Sequence, residues 1–475
     1  MAALGFAGLP RPSYDRALWA LRTSLDSWSG IGHVAVGMAH PRAATLEKRL
    51  VRPRVWVLAL LACVVACASP ATKTSDTPIA SYEPPPRFAT GGPDAEALGA
   101  SIGYPKGNPA THFRVRWQVG SFSHLGEIFR GRVIHKAPTP SRLVRIAEPR
   151  IIWTFQGADR TLDDYLSRNP TTGLLIARGE TIFVERYQYG RTDRHRFTSW
   201  SMAKTVAAML IGIAIDEGRI RSVDDLAAAY VPALAGTEYG RTSLRHLLQM
   251  SSGVRFNEDY SRDFVSHDIV QFVLDTYMRV GPGGVGAVTS FNDRERPAGT
   301  KFSYSSVETL VLGIVLSHAT SRPVAEYLQE KIWQPMGAEA DATWIVDNSG
   351  QEATYCCLNA VLRDYARLGL LLAYDGNWRG RQIVGSGGYY YASRPTSCVA
   401  RHGHAKRGLR LPDVDPSPPS AGCSCFGGAQ GQRIYVDPRS KLVMVNTAVR
   451  KPGLDLSSLQ EMGALWSALV RQLGG

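Results

Sequence analysis

The sequence predicts an α/β protein of the α+β type. It has an antiparallel sheet assembled from N- and C-terminal parts, packed by helices, and a mainly helical lobe. Three observations predict it. A β-hairpin pattern covers 171–189, a strand–turn–strand pattern covers 431–448, and between them lie helices that are apolar on nearly every side. Helices of that kind belong inside a large core. At 475 residues, 44% hydrophobic and 20% charged, the chain can supply one. The net charge of +13 comes from scattered, mostly arginine residues with no aromatic-interleaved basic stripe. That pattern reads as a solvated surface and gives no nucleic-acid partner.

In chain order, residues 1–50 have little periodicity. Lys48, Arg49, Arg52 and Arg54 then precede the twelve-residue apolar run Val55–Ala66, too short for the ~20 residues a spanning helix needs. A basic flank, a short apolar run and small residues make an export signal. The leader is placed at 1–67, with Met38 as an alternative start. The signal implies a protein exported to the cell envelope; a simple anchor or a cleaved signal without lipid stays open. Residues 68–93, rich in Pro, Ser, Thr and Ala, read as a disordered tether. Residues 94–165 read as an extension wrapping the main domain, with strands around Val144 and Ile151. The main domain runs 166–475.

Within it, Thr171 to Tyr189 is the hairpin, two β-rich runs around a Gly-containing turn. Val206 to Glu217 is an apolar helix stopped by Gly218. Segments 224–232 and 244–253 read as helical and loop-linked, 255–300 as loop-rich with a flexible stretch at 281–286. Helices are expected at 308–320, 324–334 and 359–374. Residues 394–424 read as an insertion or lid, 431–438 and 441–448 as strands, and 457–473 as the closing helix.

The chemistry starts at Ser201-Met-Ala-Lys204, at the mouth of the Val206 helix. Residues three apart share a helix face, so the hydroxyl and amine point into one space. A nucleophilic serine needs a base within hydrogen-bond reach, and a lysine withdrawn from water can serve. The positive helix N-terminus favours a neutral amine and a developing oxyanion. Of ten lysines, Lys204 alone has a serine three residues before it. A plain helix start with a solvated lysine is the alternative, weakened by the wholly apolar helix behind. The seven cysteines show no zinc spacing: Cys356 and Cys357 are adjacent, and Cys398, Cys423 and Cys425 share one C-terminal region. A disulfide or free thiols fit them better than a metal site with His402 and His404.

Five motifs in order resemble the serine β-lactamase-like hydrolases, with their penicillin-binding-protein-like fold. They are Ser199-Trp-Ser-Met-Ala-Lys204, Leu247-Leu-Gln-Met-Ser-Ser-Gly253, Phe302-Ser-Tyr-Ser-Ser306, Arg363-Asp-Tyr-Ala-Arg-Leu-Gly369 and Gly428-Ala-Gln-Gly-Gln432. The group includes class C β-lactamases, D-alanyl-D-alanine carboxypeptidases, esterases and 6-aminohexanoate-dimer hydrolases, and the chain most resembles the last branch. The resemblance implies Ser201 as nucleophile and Lys204 with Tyr304 as proton carriers. It implies an oxyanion hole of Ser201 and Ala429 N–H beside Gly428, and a substrate-facing Tyr260. It implies neither metal nor cofactor. The chain departs twice from the pattern. Ser306 stands where many relatives carry asparagine, leaving an amide contact to the acyl group in doubt. Phe426-Gly-Gly428 stands where many carry a cationic motif. Both departures favour uncharged ester or amide substrates over penicillins; a D,D-peptidase, a weak β-lactamase, or a non-catalytic sensor lipoprotein of the same fold are the alternatives. Val64-Val-Ala-Cys67 resembles a bacterial lipobox, which implies lipidation of Cys67 and a membrane tether. The oligomeric state is left open.

Overall fold

The computed structural model describes residues 83–259, 267–385, 424–450 and 456–474. From Glu83 onward they belong to one compact unit. The frame is a mixed-origin sheet. Strands β1 (Arg87–Phe88), β3 (Val144–Arg145), β6 (Thr171–Arg178) and β7 (Thr181–Tyr187) come from the N-terminal side. Strands β13 (Ser424–Gly427), β14 (Arg433–Asp437) and β15 (Leu442–Ala448) come from the C-terminal side. The order is β1-β7-β6-β15-β14-β13, with β3 also on β7. The joint between the halves is antiparallel, with Val443 opposite Ala177 and Val445 opposite Leu175. A second sheet runs β2 (Gly131–Ile134), β9 (Ala342–Ile345), β10 (Leu358–Ala360) and β8 (Phe197–Thr198). Strands β4 (Ile152–Phe155) and β5 (Ala158–Thr161) pair beside these sheets, as do β11 (Asn377–Trp378) and β12 (Arg381–Gln382).

Strand alternation gives the main sheet two apolar faces. Leu175, Ala177, Ile434, Val436, Val443 and Val445 face the larger core. Leu174, Ile176, Leu442 and Met444 face a smaller one, closed by Met462, Leu465, Trp466 and Leu469. Helices used below are α1 (Val115–Phe122), α2 (Leu162–Arg168), α3 (Met202–Asp216), α4 (Leu244–Leu248), α5 (Ser306–Thr320), α6 (Leu362–Ala373) and α7 (Leu456–Leu473). Every residue of α3 from Met202 to Ala214 is buried. α5 is buried over most of its length, so both apolar helices lie inside the larger core as expected.

Three local expectations change. Segment 224–232 forms only short 3-10 turns, Ala227–Ala229 and Pro232–Leu234, because Pro232 interrupts any longer helix. The 359–374 helix begins later: Leu358–Ala360 is strand β10, claimed by pairing with β8 and β9, and α6 starts at Leu362. The loop-rich 255–300 contains the helices His267–Asp275 and Gly284–Thr289. Gly283 there has φ +71°, and a Cβ on it would lie 2.5 Å from the Asp347 carboxyl carbon, which requires glycine. Cys356 and Cys357 form a disulfide with each other.

The Arg363–Gly369 motif is a structural joint. Arg363 grips Glu185 at 2.8 and 2.9 Å, and Arg145 reaches the same carboxylate at 2.8 Å. Asp364 accepts from the N–H groups of Glu339 and Ala340, and Arg367 pairs with Asp364 and Glu339. Gly369 lets α6 close on the sheet, since a Cβ there would lie 2.6 Å from Val443.

Candidate active site

The segment that carries Ser201 leaves β8 through a fixed turn. Ser199 N–H donates to Leu358 O at 2.7 Å, and Ser199 Oγ both donates to Trp200 O (2.8 Å) and accepts from Leu358 N–H (3.1 Å). Trp200 takes φ +43°, a left-handed value costly for any residue but glycine, and one met at functional turns. Phe113 stacks on the Trp200 ring at 5.5 Å and Phe122 of α1 meets it edge-on at 5.1 Å. Residues of the N-terminal segment therefore pack against the turn that precedes Ser201.

Ser201 caps α3 and Lys204 lies in its first turn. The Lys204 ammonium donates to Ser201 Oγ, Ser306 Oγ and Tyr355 O, each at 3.0 Å. It also lies over the rings of Tyr304 (4.8 Å) and Tyr355 (5.7 Å). Lys204 is only 9% exposed, so those contacts replace water. Tyr304 reaches the cluster as expected, but its ring face meets the ammonium; no hydrogen bond joins its hydroxyl to Ser201 or Lys204. Catalytic hydrogen bonds are often loose before substrate binds.

Ser306 links Lys204 to a carboxylate. Its hydroxyl accepts from Lys204 and donates to Glu258 Oε1 at 2.7 Å, while its N–H donates to Glu258 Oε2 at 2.6 Å. Glu258 thus grips the N-terminus of α5, where negative charge is favoured, and sits one hydroxyl away from Lys204. Sequence reasoning missed Glu258. It lies in the loop-rich segment two residues before Tyr260, and only its place in Asn257-Glu-Asp-Tyr260 hinted at the site. The Ser252 motif acts one turn deeper. Ser252 Oγ donates to Glu308 Oε1 of α5 at 2.6 Å, which ties the α4 segment to the site helix. Burial pushes Glu308 up to about 8, and its Oε2 has no partner among the described residues. Both facts fit a protonated acid.

The third side is the edge strand β13. Gly428 fits tightly: a Cβ there would lie 2.6 Å from Ser199 O. Ala429 N–H and Ser201 N–H make no hydrogen bond among the described residues. The sequence offered no cation on this strand. The structure brings one from the next: Arg433 of β14 bonds the carbonyls of Gly428 and Gln432, the latter at 2.8 Å. Among the described residues no carboxylate pairs with it, and Tyr304 is near enough to act on its charge. Tyr260, Cys67, Cys398 and Cys423 lie outside the described residues. Among the described residues no group of His, Cys, Asp and Glu could hold a metal ion, and no helix is long and apolar enough to cross a membrane.

A family model described as Beta-lactamase matches residues 158–456, which hold Ser201, Lys204, Glu258, Tyr304, Ser306 and Arg433. The 6-aminohexanoate-dimer hydrolase of Paenarthrobacter ureafaciens is 28% identical over 311 residues, 60% of this chain and 74% of the relative. A solved structure of a candidate 6-aminohexanoate-dimer hydrolase from Bacillus anthracis has a TM-score of 0.65 at 20% identity, covering 77% of this chain and 97% of that one. The last likeness concerns the fold.

Proposed function

The chain belongs to the β-lactamase family of hydrolases, and we propose that it opens ester or amide bonds through an acyl-enzyme on Ser201. The supporting observation is the 3.0 Å contact from Lys204 Nζ to Ser201 Oγ inside an apolar shell. Ser201 Oγ attacks the carbonyl carbon as its proton passes to the Lys204–Tyr304 pair. The Ser201 and Ala429 N–H groups hold the oxyanion. Tyr304 returns the proton to the leaving oxygen or nitrogen. Water then attacks the acyl carbon and releases the acid and free Ser201. A short-chain p-nitrophenyl ester or a fluorophosphonate should leave its adduct on the Ser201 peptide by mass spectrometry. Label elsewhere, or full activity in Ser201→Ala, would end this assignment. An enzyme that never labels would be the sensor lipoprotein instead.

A second reading, a D,D-peptidase or weak β-lactamase on carboxylate-bearing substrates, draws support from Arg433. A panel of esters, amides and β-lactams separates the two, with neutral substrates preferred on the first reading. We further propose export and a lipid tether at Cys67, on the strength of the Val64–Cys67 pattern. A mature N-terminus mapped elsewhere than Cys67, or a protein found in the cytosol, would exclude it.

A further inference from the structure

We propose that the Cys356–Cys357 disulfide is a positioning clamp for Lys204, so that turnover depends on the oxidation state of this pair. The proposal rests on the assignment of Ser201 and Lys204 above.

The two cysteines stand between the segments that shape the site. Directly before them, the Tyr355 carbonyl accepts one of the three Lys204 hydrogen bonds, and the Tyr355 hydroxyl is tied to Thr276 Oγ1 at 2.5 Å. Directly after them, Leu358 exchanges two hydrogen bonds with Ser199, two residues before the nucleophile. One short stretch of backbone thus touches both the base and the turn that presents the serine. The carbonyls of the cysteines are themselves fixed. Trp344 Nε1 donates to Cys356 O at 2.8 Å, and Asn359 Nδ2 donates to Cys357 O at 3.0 Å.

The backbone here is not one the chain adopts freely. Cys357 has φ +66°, in the left-handed region that disfavours a side chain. A bond between adjacent cysteines closes a small ring through their shared peptide, which holds the local dihedrals against relaxation. Both residues are buried, so the ring is packed inside the core. Opening it returns Cys357 to ordinary backbone freedom, and the Tyr355 carbonyl moves with it. Lys204 then keeps its two hydroxyl partners but loses the acceptor that fixes its ammonium from behind. Small misplacements of a catalytic group cost rate more than binding.

Opening needs an external dithiol. Its two sulfurs form a disulfide, and two electrons and two protons pass to Cys356 and Cys357 as thiols. Dithiothreitol is the probe. The readouts are steady-state ester hydrolysis, the rate of fluorophosphonate labelling at Ser201, and alkylation mapping of every cysteine in the full chain. When the Cys356–Cys357 peptide becomes alkylatable, kcat should fall roughly 10-fold or more while KM stays within about 2-fold. Reoxidation should restore it. The variant Cys356→Ala/Cys357→Ala should be slow and unresponsive to the dithiol. Cys356→Ala/Cys357→Gly should recover part of the rate, because glycine takes φ +66° without a side-chain penalty. Equal kcat with the pair open and closed, a double-alanine variant that is fast, or one that still responds to the dithiol, overturns the clamp. If the alanine variant does not fold, the reduction and reoxidation of the native chain still decides. Labelling of Ser201 at one rate in both states also overturns the clamp while leaving the hydrolase assignment standing. Absence of labelling in the oxidised protein removes that assignment and the clamp with it.

Discussion

Two buried clusters in this protein treat charge in opposite ways. At Glu185 a carboxylate with no exposed side-chain surface is held by Arg363 and Arg145, and the Tyr187 hydroxyl donates to it at 2.9 Å. Cation and anion meet directly, and the cluster joins β3, β7 and α6. At Lys204 a cation of similar burial meets two hydroxyls and a carbonyl. Among the described residues no carboxylate pairs with it directly, and the acid in its network, Glu258, is reached only through Ser306. Burial pushes the Glu185 acid up to about 7 while Tyr187 and Arg145 hold it down, and the direct ion pairs favour its charged form because either partner alone in the core is costly. The first arrangement joins three elements of the fold; the second matches the role proposed for Lys204.

The sharpest way to break this contrast is at the site. Lys204→Ala and Tyr304→Phe should each lower kcat by roughly 10²–10⁴-fold with the fold retained, as measured by ester hydrolysis and circular dichroism. The double variant should be little worse than the worse single, since groups acting as one unit are not additive. A Tyr304→Phe enzyme with near-native kcat would place the proton pathway on Lys204 alone.

The Glu185 cluster should answer in stability. Arg363→Leu leaves a buried carboxylate with one guanidinium fewer, and should cost about 3 kcal/mol in denaturant unfolding. Its kcat, measured well below the unfolding transition, should stay within about 2-fold of native. A larger loss of kcat than of stability would show that this joint also shapes the site.

Between these extremes lies Glu258. Replacing it with glutamine keeps a hydrogen-bond acceptor for Ser306 but removes the charge one hydroxyl from Lys204. We expect kcat to fall about 10-fold, equivalent to ~1.4 kcal/mol, with KM little changed. Unchanged kcat would mean that Glu258 serves the N-terminus of α5 and nothing further.

The same contrast explains what the sequence made legible. Ser201 and Lys204 were readable because one short helix turn carries both, and local spacing fixes their relation. The hairpin, the C-terminal strands and the buried helices were readable from periodicity. Glu258 and Arg433 were not: each enters the site from another segment, and pairing across a sheet or loop leaves no local pattern. Asn359 was read as helical because the apolar period of α6 runs back into it, while tertiary pairing made it strand. The two-residue strand β1 lies inside the stretch 68–93 read as a disordered tether and forms only as a partner of β7, whereas the strand expected around Val144 is β3.

The smallest expected effect concerns Glu308, a third kind of buried charge, kept neutral by its proton. Its acid is pushed by burial from the ordinary 4.5 up to about 8, while Ser252 holds it down through hydrogen bonds. A raised folded pKa means that the native state binds the proton more tightly than the unfolded chain does. The stability it contributes is therefore fully present below about pH 4.5 and is lost as pH rises through about 8. Glu308→Gln preserves an acceptor for Ser252 and cannot ionise. Its melting temperature relative to native should rise between pH 5 and pH 8, by on the order of a degree or two. The unpartnered Oε2 supports the sign, since a neutral acid tolerates that position better than a carboxylate. A difference that stays flat, or falls with pH, would mean that Glu308 is ionised in the fold. The anchor between Ser252 and α5 would then be a charged one, closer in kind to the Glu185 joint than to the site beside it.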